Sequence, residues 1–137
     1  MIKIEKELTY RGILCVITFH NLGYRCGYVR VPKENKYYRR KALCEMIDCH
    51  GGITYQGSHL PLRDDKNAWW IGFDCSHSCD GYDVEKAREI YKESEKDMRL
   101  FNELESIKFF DIFKNKPVRT AEYCEAECKK IVDQILQ

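Results

Sequence analysis

Apolar and charged residues alternate from the start of the chain, Met1-Ile2-Lys3-Ile4-Glu5-Lys6-Glu7. The first 32 residues read as sheet. Gly12-Ile13-Leu14-Cys15-Val16-Ile17-Thr18-Phe19 is a β-branched apolar run, and Asn21-Leu22-Gly23 supplies a turn. Tyr24 to Val31 alternates again, with Arg25 opposite in facing to Tyr24 and Cys26, and Pro32 ends it. The pair predicts an antiparallel hairpin with one solvated face.

Residues 33–41 form a basic, aromatic loop, and residues 42–49 fit a short helix or a strand equally well. Gly51-Gly52 breaks the chain before a short strand, Ile53-Thr54-Tyr55. Residues 56–67, with Gly57, Pro61, Asp64 and Asp65, read as a loop, and Trp69 to Phe73 as the last, buried strand. The period then changes. Val84, Ala87, Tyr91, Met98 and Phe101 share one face of a charged helix reaching about Phe110, with a break expected near Asn102 or Ser106. Thr120 is a fitting N-cap for a last helix whose stripe is Ala121, Cys124, Cys128, Ile131 and Ile135. The expectation is an α+β fold in one domain, 1–137: an N-terminal antiparallel β-sheet (1–82) packed by two C-terminal helices (83–137).

Composition narrows the function classes. The chain has 137 residues, 44% hydrophobic and 33% charged, enough for one core. A net charge of +1 argues against duplex nucleic acid as a partner, because counterion release needs a basic surface. No apolar run suits a signal peptide or a membrane span, so a cytoplasmic protein is expected, with no membrane partner. Its eight cysteines are then expected to be free thiols.

The candidate chemistry lies in two stretches. His50 precedes Gly51-Gly52, where glycine allows positive φ or a ligand packed on the main chain. Trp69-Trp70-Ile71-Gly72-Phe73-Asp74-Cys75-Ser76-His77 is a strand ending in titratable groups, followed by Cys79 and Asp80. The bland reading of His77 is an ordinary turn histidine. Trp69 and Trp70 point opposite ways on a regular strand, so one fills the core and the other is offered for stacking. Arg39 and Arg40, beside Tyr37 and Tyr38, combine aromatic faces with phosphate charge. Arg119, just before a helix N-terminus, is placed to reach a phosphate held there.

Metal ligation is a rival reading. Cys44, Cys49 and His50 with Cys75, His77 and Cys79 are suitable ligand types, but their spacings are not those of a zinc knuckle. A catalytic version uses His50 and His77 with Asp74 or Asp80 to hold a metal-bound water. Neither a metal nor a cofactor is expected.

The order Gly27-Tyr28-Val29-Arg30-Val31-Pro32, His50-Gly51-Gly52-Ile53-Thr54-Tyr55 and Trp69 to His77, with Asp80, Arg119 and Glu127-Cys128 following, resembles a family of small bacteriophage proteins, most without assigned function. Small phage proteins often resemble anti-defence "sponges" that sequester nucleotide immune signals, such as CBASS cyclic oligonucleotides or ADP-ribose derivatives of Thoeris. The resemblance therefore implies a homo-oligomer in the host cytoplasm that binds a nucleotide-type small molecule. His50, Gly51, Trp69, Trp70, Asp74, His77, Arg39, Arg40 and Arg119 are the expected ligand-binding residues. The alternatives are a metal-assisted hydrolase of such a signal and a protein that inhibits a host defence enzyme by binding it.

Overall fold

The computed structural model describes residues 2–60, 62, 63, 65 and 67–137; Met1, Pro61, Asp64 and Lys66 of the stretches read above lie outside them. Five strands form one antiparallel sheet: β1 (Ile2–Tyr10), β2 (Ile13–His20), β3 (Arg25–Arg30), β4 (Tyr55–Gly57) and β5 (Trp70–Asp74). Their order is β1-β2-β3-β5-β4, so the chain leaves β3, lays down the edge strand β4 and returns to insert β5 between them. This insertion buries β5, as its apolar run requires.

Side chains alternate across β2 and place Ile13, Cys15 and Ile17 against the main core and Val16 on the other face. The helix α4 (Ala121–Ile135) covers the first face. Its Cys124, Cys128, Ile131 and Ile135 are buried, as the stripe predicts; Ala121 is only half-buried, and Val132, outside the stripe, is buried too, so that three aliphatic side chains contribute about 5–9 kcal/mol of apolar burial. Gly27 permits the close approach, since a Cβ there would stand 2.5 Å from the Phe73 ring and 2.9 Å from Cys128 Sγ. Cys124 and Cys128 are thus core residues, and all eight cysteines are free.

The hairpin departs from expectation in its solvated face. Arg25 does lie opposite Tyr24 and Cys26, yet it is the buried residue, at 3% exposure. It forks onto Glu5 (Nε–Oε1 2.6 Å, Nη2–Oε2 3.1 Å) and stacks 4.8 Å over Phe19. The other face is covered at its centre, where Leu60 and Ala68 pack on Val16 and Trp70.

Three helices, not two, follow the sheet: α2 (Val84–Tyr91), α3 (Glu95–Ser106) and α4, with a 3₁₀ turn at Phe109–Ile112. The expected break near Ser106 is present. An additional one falls at 92–94, where Ser94 caps α3 by accepting from Asp97 N. Asp97 is itself buried and accepts from Asn21 Nδ2 at 2.7 Å, which fixes the break. The ambiguous 42–49 stretch contains one helical turn, α1 (Lys41–Cys44). The strand expected at 53–55 is β4, two residues later. No helix of the described residues is long and apolar enough to cross a membrane.

Candidate functional site

Three segments meet at the C-terminal end of β5. The first is the turn at 49–52, closed by Gly52 N donating to Cys49 O at 2.9 Å, with Gly51 and Gly52 at φ +70° and +80°. The left-handed backbone read from His50-Gly51-Gly52 is therefore present. Gly51 is also required for space: a Cβ there would stand 2.5 Å from His77 Nε2.

The second segment is the turn after β5. Asp80 N donates to His77 O at 2.9 Å, while His77 N donates to Asp80 Oδ2 at 3.0 Å. This reciprocal pair folds the Asp80 carboxylate back inside, where it is 0% exposed. The third segment is the start of α4. Thr120 caps it by accepting from Tyr123 N at 3.1 Å, as expected, which sets Arg119 before the helix and Tyr123 in its first turn.

Asp80 is the hub. Its Oδ2 lies 3.0 Å from His50 Nε2 and 2.9 Å from His77 Nδ1, and its Oδ1 accepts from Arg119 Nε at 2.9 Å. Burial alone would raise its pKa. The His50, Arg119 and His77 donors outweigh that and hold the carboxyl well below the usual carboxylate range. Arg119 is the permanent counter-charge to Asp80, and each imidazole offers it a ring N–H.

The hydrogen-bond pattern then assigns the tautomers. His50 carries its proton on Nε2, and its Nδ1 accepts from Tyr123 Oη at 2.7 Å. His77 carries its proton on Nδ1, which leaves the Nε2 lone pair unused on a side chain 33% exposed. Asp74 Oδ1 stands 3.7 Å from that Nε2, beyond hydrogen-bond reach. Asp74 is held in place by Thr54 Oγ1 at 2.9 Å and Ser76 N at 3.1 Å. Asp74, His77 and Arg119 are part-exposed around the buried Asp80, and Arg119 directly precedes the N-terminal end of α4.

His50, Gly51, Asp74, His77 and Arg119 thus come together as expected. Trp69, Trp70, Arg39 and Arg40 do not. Trp69 stands five residues before Asp74, about 16 Å away along the strand. Both tryptophans are buried, at 6% and 0% exposure, one in each core, so neither offers the free stacking face expected of the pair. Arg39 covers Tyr38 and Trp69 (5.5 and 5.9 Å to the ring centroids). Its loop is tied to the C-terminal end of α4 through Asn35 Nδ2 and Ile135 O. Arg119 lies at the other end of that helix, about 22 Å away. The separation follows from α4 spanning the sheet.

Two residues of the cluster were not among the expected ligand contacts. Asp80 appeared in the sequence as a neighbour of His77 and an alternative metal ligand. Tyr123 carried one weak signal: it lies three residues after the N-cap and off the apolar stripe of α4. As for metal ligands, one donor atom each from His50, His77 and Asp80 falls within 4.8 Å of the others. The cysteine-based sets are not brought together: Cys44 and Cys49 pack in the core, and Cys75 Sγ lies 3.8 Å from Cys124 Sγ. No family model, no curated protein and no solved structure matches the chain.

Proposed function

We propose that the protein is a hydrolase acting on a phosphate ester of a nucleotide-type small molecule, with His77 as general base. One observation carries this reading: a buried carboxylate orients the part-exposed His77 ring through Nδ1, and no hydrogen bond engages its Nε2 among the described residues. In this reading the phosphate is met by Arg119 and the N-terminal end of α4. His77 Nε2 takes a proton from water as the new O–P bond forms. The ester P–O bond breaks, and the proton passes to the leaving oxygen. Simple sequestration of such a ligand is the alternative, with the base stacked on aromatic residues other than the two buried tryptophans.

The test is incubation of the purified protein with nucleoside monophosphates, cyclic dinucleotides and ADP-ribose, followed by chromatography of the products. The resemblance to small phage proteins is the reason to include immune signals. Turnover is expected, and His77→Gln should lower it about 10²- to 10⁴-fold while the circular dichroism spectrum stays unchanged. Recovery of intact ligand after heating would replace hydrolysis by sequestration. Neither binding nor turnover would end both ideas.

A metal-assisted version has one observation in its favour, the convergence of His50, His77 and Asp80 donor atoms within 4.8 Å. A divalent ion there would activate water and would redirect both imidazoles from Asp80 to the metal. Activity lost on chelation and restored by Zn²⁺ would select it. Activity that survives chelation selects the His77–Asp80 dyad.

A further inference from the structure

A cavity of about 550 Å³, within the size range of small-molecule pockets, is lined by residues that follow Asp80 and precede Arg119 in the chain. Its walls include Tyr82, Phe110, Phe113 and Val118. Two of these walls are chain neighbours of the cluster: Tyr82 is two residues after Asp80, and Val118 immediately precedes Arg119. The segments are joined by a parallel bridge between Gly81 and Val118 and by Gly81 N donating to Pro117 O at 2.9 Å. Gly81 is needed there, because a Cβ would collide with Lys116 O. Cavity and cluster are thus built on one two-stranded frame.

The lining is unusual for so charged a region. Tyr82 meets Phe113 edge-on with centroids 4.8 Å apart and Phe110 at 6.1 Å, and all three rings are part-exposed. Four carboxylates also line the cavity, but two are already paired. Asp83 accepts from Arg25 Nη2 at 3.5 Å, and Glu105 pairs with Arg88. Glu85 and Asp111 remain as acceptors, balanced by Lys108 and Lys114. Near-neutral charge, aromatic walls and spare acceptors match a planar heteroaromatic ring with an amino group better than they match a second phosphate.

We infer that this cavity is the base-binding subsite of the same active site, taking an amino-bearing nucleobase while the phosphate lies at Arg119. The inference rests on the phosphate-ester reading for its second half. Two residues of extended chain separate Tyr82 from Asp80, about 7 Å, a span that a nucleoside monophosphate bridges through its ribose.

Calorimetric titration with AMP and with ribose 5-phosphate tests it, using the His77→Gln protein so that ligand is not consumed. AMP is expected to bind about 5- to 100-fold more tightly than ribose 5-phosphate, the range of base–aromatic stacking. Introducing Tyr82→Leu keeps apolar bulk and removes the aromatic face, and the ratio should fall close to one. Phe113→Leu is the second variant and should lower the ratio in the same direction. An unchanged ratio in both variants, or equal affinities before substitution, overturns the subsite even if the protein hydrolyses phosphate esters. A collapsed ratio in a protein without hydrolytic activity upholds the subsite and removes the hydrolase reading alone.

Discussion

Asp80→Ala is expected to cost about 3–5 kcal/mol of stability and to lower the melting temperature by roughly 10 °C or more. The carboxylate is fully buried and is engaged by two imidazoles, a main-chain N–H and a guanidinium. Removing it leaves Arg119 without its counter-charge and several donors without an acceptor, which is worse than losing the contacts themselves. Asp80→Asn separates charge from shape. It keeps an acceptor for part of the network, so it should destabilise less than alanine while still removing most of the activity. The same group gives a pH dependence. Its pKa is depressed in the fold, so its stabilisation is complete above about pH 4, the ordinary carboxylate value, and is lost as pH falls further toward the folded value. Thermal melts of wild type and Asp80→Asn should therefore differ most near neutral pH and converge in strong acid. A pH-independent difference would contradict the assignment of Asp80 as the buried anion.

Gly51→Ala is expected to abolish activity at a more modest stability cost, about 1–3 kcal/mol. The residue has φ +70°, and its Cβ would overlap the His77 ring. Both effects push the same way: the turn must shift, and His77 must leave the Asp80 carboxylate. Displacement of a catalytic base by an ångström costs on the order of 10²-fold in rate. Gly52→Ala is the control. It has φ +80° but open space around its Cβ position, so it should show the backbone penalty without the loss of activity. Equal activity losses in the two variants would mean that turn strain, and not the contact with His77, is what matters.

The sequence was most informative where one local pattern decided the structure. The apolar run of β2, the alternation of β3, the stripe of α4 and its Thr120 cap all depend on residues a few positions apart, and all are found. The His50-Gly51-Gly52 turn was legible for the same reason. Arg25 misled because its burial depends on Glu5, across two strands, and on Asp83 at the start of α2. The split between α2 and α3 depends on Asn21 reaching Asp97 from the other half of the chain. The site shows the same division. Its location followed from the strand ending in Asp74 and His77. Its hub did not, because Asp80 is distinguished from any other turn aspartate by His50, 30 residues before it, and Arg119, 39 residues after it. The tryptophan pair drew attention through composition, yet both faces of the sheet are covered there, by α4 on one side and by Leu60 and Ala68 on the other, so each ring lies in a core.

The central claim is that Asp80 holds His77 with its proton on Nδ1 and its lone pair on Nε2. Nitrogen-15 NMR of histidine-labelled protein near neutral pH measures this directly, with His77→Gln to assign the signals. The expected spectrum shows the unprotonated form of His77 as the Nδ1–H tautomer, changing to a mixture in Asp80→Asn. A wild-type His77 found as the Nε2–H tautomer would contradict the account, since Nε2 would then carry a proton and could not accept one.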